Sequence, residues 1–268
     1  MPLRKLKMIG MIGLAIIVLV SSIIAPYFAP HDPLKIDVLN ILIPPNDVYP
    51  LGTDHVGRCI YSRLLYGARA TIGTSLILLA LIASIGMVLG GIAGYRGGLI
   101  DRFITRTGDL LLAFPDIIFA IIIIGMLGPG VVNTMIALAL IWWVRYAKLT
   151  RILVRKEVGR EYVQAAKMAG ASRLRIFTHY ILPNIFPFIM VQLCLNIGTI
   201  IIALAGFSFL GLGIAPPNPE WGNMLSEGRI YIQTAPHMLI YPGFCIFAVV
   251  LLFNSLGEML RSVMNQKE

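Results

Sequence analysis

The chain has 268 residues, of which 57% are hydrophobic and only 13% charged, with a mean hydropathy of +0.83. A soluble domain carries about 25% charged residues because water must be met by polar groups over most of its surface, so a water-soluble globule is excluded and most of this chain faces lipid. The 22 basic and 13 acidic residues leave a net charge of +9, which suits nucleic acid, an anionic membrane or a topology signal until the charges are placed.

A helix crosses the roughly 30 Å of hydrocarbon with about 20 mostly apolar residues, and this length is the measure for the elements that follow. Residues 1–7 are a short basic segment with Arg4, Lys5 and Lys7. The next 24 residues are uncharged and predict a first span over 8–28. That run is longer than the apolar part of a secretory signal and lacks a small-residue cleavage site, so it reads as a retained anchor. Residues 29–68 form a polar loop, and a five-span core over 69–265 begins with the 26 uncharged residues between Arg69 and Arg96. Gly128-Pro129-Gly130 divides the next apolar stretch into spans at 110–127 and 131–147, because such a sequence turns the chain. Pro183 and Pro187 on one side and Pro216-Pro217-Asn218-Pro219 on the other confine a fifth span to 185–210, and a sixth follows at 238–258. The predicted fold class is therefore all-α, a polytopic membrane protein of six transmembrane helices with both termini on one side.

The positive-inside rule tests that count. With a cytoplasmic amino terminus, seventeen Lys and Arg lie inside, including Arg96, Arg102, Arg106, nine in the loop after the fourth span, and Arg261 and Lys267 in the tail. Five lie outside: Lys35, Arg58, Arg63, Arg69 and Arg229. This segregation accounts for the net charge, and nucleic acid is not expected as a partner. Three cysteines are too few for a disulfide framework, and Cys194 and Cys245 sit in apolar runs where packing is their expected role.

On the second span Gly86, Gly90 and Gly94 recur every four residues, with Ser84 and Gly91 close by. Small residues on one face let another backbone approach closely, whether within this chain or at an interface with a partner. The spans are otherwise poor in charge, which leaves a proton relay little to work with. Asp116, after Pro115, reads as a helix-start carboxylate facing the positive end of the dipole.

Residues 148–183, KLTRILVRKEVGREYVQAAKMAGASRLRIFTHYILP, are too polar to span and too rich in helix formers to be a plain connector. Tyr162, Ala165, Ala166 and Ala169 fall at helical spacing and predict one small apolar face. Gly170 then supplies a left-handed cap and Ser172 an N-cap, predicting two short helices at a sharp bend. A small-residue face suits docking into a groove on a partner. The other reading, a helix resting on anionic lipid, fits the nine basic residues but lacks the Trp, Phe or Leu that such a helix buries.

Gln164-Ala165-Ala166, then three residues, Gly170, nine residues, Tyr180, one residue and Leu182-Pro183 resembles the EAA loop of ABC importer permeases. Gln164 stands in place of Glu and Tyr180 in place of Ile. Residues 51–69, LGTDHVGRCIYSRLLYGAR, resemble the segment before the second span in the dipeptide, oligopeptide and nickel family of "C"-type permeases, with Cys59 where many members have Asp. AGFSFLGLG at 205–213, Pro216 and Glu220-Trp221-Gly222 are similar to that family's fifth-span exit. The resemblance covers essentially the whole chain.

The resemblance implies a type I ABC importer permease: half of a translocation path for di- or oligopeptides or a nickel chelate, paired with a homologous sister permease. It also implies two cytoplasmic ATPases, an extracytoplasmic substrate-binding protein, and a multi-pass location in the cytoplasmic (inner) membrane. The sequence holds no phosphate-binding G-x-x-x-x-G-K-[S/T] loop, so no catalytic residue and no cofactor are assigned, ATP and Mg²⁺ being expected on the partner ATPases. The coupling residues implied are Glu161, Tyr162, Gln164, Ala165, Ala166, Gly170, Ala171 and Ser172. The outside acids Asp32, Asp37, Asp47, Asp54, Glu220 and Glu227 offer docking ground for the binding protein. The four histidines show no ligand spacing, and no metal site is expected. The competing reading is an ATPase-independent six-helix secondary transporter or channel.

Overall fold

The computed structural model describes residues 2–264, with the side chains of residues 2–6 and 8 outside that description. Lys267, one of the inside charges, therefore lies outside the described residues, as do the side chains of Arg4 and Lys5. Among the described residues the regular structure is helical, with no strand beyond one isolated bridge, Thr53 to Cys59. The helices are α1 (Pro2–Ile24), α2 (Ile60–Arg96), α3 (Gly98–Leu112), α4 (Asp116–Leu127), α5 (Val131–Val158), α6 (Glu161–Met168), α7 (Arg173–Arg175), α8 (Leu182–Phe209), α9 (Trp221–Gly228) and α10 (His237–Met264). One π-helical segment, Ile176–Ile181, joins α7 to α8, so that residues 173–209 form one helix of 37 residues.

Four helical stretches are long and apolar enough to cross a membrane, and the bent pair α3–α4 makes a fifth. The predicted fourth span, 131–147, falls within α5, whose 28 residues give about 42 Å at 1.5 Å per residue. Length is not what it lacks: Asn133, Thr134 and Arg145 dilute its apolar half. The predicted span at 110–127 is not continuous either. The axes of α3 and α4 differ by 88°, because Pro115 has no N–H to give, excludes helical geometry from Phe114, and lets Asp116 start a new helix. In α4, the N–H of Ile117 donates to Asp116 Oδ1 at 3.0 Å.

The chain divides into two compact units. One holds residues 78–123 and 136–193, and in it the glycines of α2 meet α5. A Cβ on Gly86 would stand 2.6 Å from the Trp143 carbonyl oxygen, on Gly90 2.8 Å from Ala147 Cα, and on Gly94 2.8 Å from the Arg151 carbonyl oxygen. The contact is backbone to backbone, within this chain. On α3, Asp101 is buried and paired with both Arg151 and Arg155 of α5. Asp116 Oδ2 accepts from Trp142 Nε1 and from Arg145, each at 3.1 Å, so the acid of the third predicted span is satisfied.

The other unit holds residues 1–77, 124–135 and 194–268. Here α8 and α10 approach through Gly198, where a Cβ would stand 3.0 Å from Asn254 Oδ1, and Gly257, where it would stand 3.0 Å from the Leu195 nitrogen. Replacing Gly90 with Leu is expected to force α2 off α5 and to cost at least the ~1–3 kcal/mol typical of overpacking. The loss should be read as a lowered melting temperature and reduced monodisperse yield in detergent.

Candidate functional site

The segment between α5 and α8 forms the first candidate. Arg155 and Lys156 lie in the last turn of α5, and after Gly159 and Arg160 the chain re-enters helix as α6. Gly170 has φ +79°, a conformation that suits glycine at a helix end. Ser172 Oγ accepts from the N–H of Arg175 at 3.3 Å, which starts the next helix. That helix is not short. It continues as one rod through the π segment to Phe209, so the predicted pair of short helices is one short helix, α6, and the leading end of a span.

The inward face of α6 differs from the predicted one. Val163 and Ala166 are buried, on a core made by Val154 of α5 and Ile176, Ile181, Ile185 and Ile189, with Ala171 packed beside it. Tyr162, Ala165 and Ala169 are exposed. A Val at the register position between them buries more apolar area than the alanines and sets the helix rotation. Glu161, Gln164, Gly170 and Ser172 are also exposed, and Ala166 is the one residue of the EAA triplet turned into the protein. Two large apolar side chains stand in the open on either side of Gly170: Met168 at 84% exposure and Leu174 at 74%.

Tyr162 ties three elements together. Its hydroxyl donates to Glu157 of α5 and accepts from Asn184 Nδ2 of α8 at 3.0 Å. Burial and the Glu157 contact push its pKa up to about 12, so the phenol keeps the proton it donates. Gln164 Nε2 adds a bond to the Val158 carbonyl at 2.8 Å. Neither Glu157 nor Asn184 was marked by the EAA pattern. The only signal for Glu157 is an acid five residues before Tyr162.

The second candidate lies in the other unit. Asp54 and Glu227 face Arg58 and Arg63: Arg58 Nε is 2.6 Å and Arg63 Nε 3.4 Å from Asp54 Oδ2, and Arg58 and Arg63 are 3.0 and 2.7 Å from Glu227 Oε2. All but Glu227 are almost fully buried. Glu220 caps α9, accepting from the N–H groups of Gly222 and Asn223 at 2.9 and 2.8 Å and from Thr71 at 3.0 Å. Trp221 Nε1 donates to the Leu64 carbonyl at 3.1 Å. The two outer motifs, residues 51–69 and 220–227, thus interlock. This corrects the expectation that Asp54, Glu220 and Glu227 are docking ground: they are structural interior acids, while Asp32 and Asp47 remain exposed.

Asp54, His55 and Glu227 bring potential metal-ligand atoms within 4.8 Å of one another, so one histidine does join a cluster. Both carboxylates are already neutralised by guanidiniums, and a cation there would meet like charge. The outer cluster is a clamp.

The family comparison decides between a driven permease and an unassisted carrier. Residues 86–267 match the model of the binding-protein-dependent transport system inner membrane component, and residues 4–45 that of the N-terminal TM domain of oligopeptide transport permease C. The chain belongs to this family of permeases. It is 40% identical to the dipeptide transport system permease protein DppC of Haemophilus influenzae, over 97% of this chain and 90% of that protein. It is 38% identical to the nickel transport system permease protein NikC of Escherichia coli K12, over 96% and 91% of the two chains. A solved structure of the MetNI methionine ABC transporter, inward facing, shares the fold with a TM-score of 0.58 at 16% identity, covering 75% of this chain and 95% of its own. The permease is thus a membrane subunit of an ABC importer with the type I fold, and the ATPase-independent channel or carrier finds no support.

Three outcomes are expected. Tyr162→Phe removes a hydrogen bond worth about 1 kcal/mol on each side of α6, and should raise hydrogen exchange at residues 161–168 without altering the spans. Glu227→Gln leaves two buried guanidiniums sharing one carboxylate, and should cost about 3–5 kcal/mol, the range for breaking a buried pair, read as loss of folded yield. Removing one charge of each sign, Arg58→Met with Glu227→Gln, should cost less.

Proposed function

We propose that this permease subunit is a non-catalytic half of the translocation path, moved by two cytoplasmic ATPases that hold ATP and Mg²⁺ and seize α6. A homologous sister permease supplies the other half, and an extracytoplasmic binding protein delivers cargo. Both termini lie in the cytoplasm of the cell that bears the protein in its inner membrane, the side on which the basic residues concentrate. The cargo class is di- or oligopeptides or a nickel chelate; the relatives are named for dipeptide and for nickel transport, and the amino-terminal family model for oligopeptide transport.

One observation carries the reading. α6 is fastened to the end of α5 and to the start of the rod at 173–209 through Val163, Ala166 and Tyr162, while Ala165, Met168, Ala169 and Leu174 stand exposed on its outer side. A partner gripping those exposed groups pulls on two span-forming helices at once. Displacing rigid helices that have two packed arrangements converts a push into a change of access. Glu161, Gln164, Ala165, Gly170 and Ser172 are the contact residues in this scheme, and Tyr162, Ala166 and Ala171 hold the segment to its own spans.

Gly170→Trp tests it. No heavy atom outside its own neighbours lies within 4 Å of that glycine's Cβ position, and its φ is +79°, so a bulky residue meets backbone strain and whatever docks there, but no internal clash. The expected result is normal insertion with loss of cargo-stimulated ATP hydrolysis and of uptake in reconstituted transporter. Full coupled uptake by the variant, or uptake by this chain alone in liposomes, overturns the proposal.

A further inference from the structure

The same compact unit contains a cavity of about 750 Å³, lined by Tyr95, Arg96, Lys167, Ala171, Arg173 and Ile176, within the roughly 300–1,000 Å³ of small-molecule sites. Three of the six lining residues are cations and none is an acid. Among the described residues no carboxylate pairs with Arg96, Lys167 or Arg173. Lys167 is instead held over the Tyr95 ring, 5.9 Å from its centroid. An apolar wall remains in Ile176 and Ala171.

The depth of the cavity follows from α2 and α3. Ile92, one turn before Arg96, is exposed, and so are Leu99 and Phe103, which follow it at 79% and 72%. Apolar side chains open to the outside on both sides of an arginine mark the boundary where hydrocarbon gives way to headgroups. A soluble anion needs the cations but has no use for this apolar surround. A lipid phosphate needs both, and basic pockets at the cytoplasmic ends of membrane helices take anionic headgroups for this reason.

We infer that the cavity between the end of α2 and the α6–α7 turn is a binding site for the phosphate headgroup of an anionic phospholipid of the cytoplasmic leaflet. Arg96 and Arg173 give planar, multidentate donors to its oxygens, and Lys167 a point charge. Occupancy cross-links the end of the second span to the segment that carries α6, and so stiffens the part of the chain on which coupling is proposed to act. The site itself stands on geometry and charge, and does not depend on the coupling proposal.

The test uses the assembled transporter in nanodiscs of phosphatidylcholine mixed with phosphatidylglycerol, released into detergent for native mass spectrometry. Wild type is expected to retain phosphatidylglycerol in preference to phosphatidylcholine. Arg96→Gln with Arg173→Gln should reduce that retention by about thirtyfold, each basic residue at an anionic leaflet being worth roughly a factor of five. Arg102→Gln with Arg106→Gln, on exposed α3 positions outside the cavity, should leave it unchanged. Equal retention by wild type and the cavity variant, equal loss in the α3 control, or displacement of the lipid by inorganic phosphate at matched ionic strength would each overturn the site. Because retention is read without transport, such a failure leaves the permease assignment untouched, and the Gly170→Trp result does not bear on it.

Discussion

Close approach of two helix backbones is the constraint on which the α6-bearing unit depends. Lipid tails are as apolar as leucine, so no hydrophobic drive presses α2 against α5, and association must come from dispersion and from hydrogen bonds. Gly86, Gly90 and Gly94 meet that requirement by leaving three successive turns of α2 without a Cβ where α5 approaches. The buried Asp101, shared by Arg151 and Arg155, adds charge pairing to the same helix, α5. With α5 fixed in this way, the end that leads into α6 cannot rotate independently, and neither can the small helix attached to it.

The unit of residues 1–77, 124–135 and 194–268 solves a different problem. Arg58 and Arg63 cannot stay charged and unpaired once removed from water, because the desolvation penalty per ion is several kcal/mol. Two carboxylates from distant parts of the chain balance them, and Glu220 and Trp221 complete the joint between α9 and the start of α2. Such a balanced set adds little net stability relative to apolar packing but strongly penalises any arrangement that separates its members. It therefore defines one geometry for the loop before α2.

Local signals in the sequence were sufficient for some features and silent on others. The Gly170 turn and the Ser172 cap are decided within four residues, and both stand where the pattern puts them. Glycine spacing on α2 marks a face but does not say what covers it. Alanine spacing does not give the rotation of α6, because Val163, a single larger residue, outweighs it. The break at 113–115 is hidden in the apolar run because Pro115 signals a helix start there and also ends the preceding helix. The clamp of Asp54, Arg58, Arg63 and Glu227 is out of reach of local signals, since Arg63 and Glu227 are 164 positions apart and nothing in either neighbourhood specifies the other.

The π segment at Ile176–Ile181 has a consequence for azimuth. Leu182 donates its N–H to Phe177, five residues back, and Pro183 follows, whose ring would strike the carbonyl four positions earlier in an unbroken α-helix. One surplus residue in a turn offsets everything beyond it by about 100°. The wide turn thus acts as a phase adjuster: it decides which side of the following span is presented inward, independently of where the rod begins.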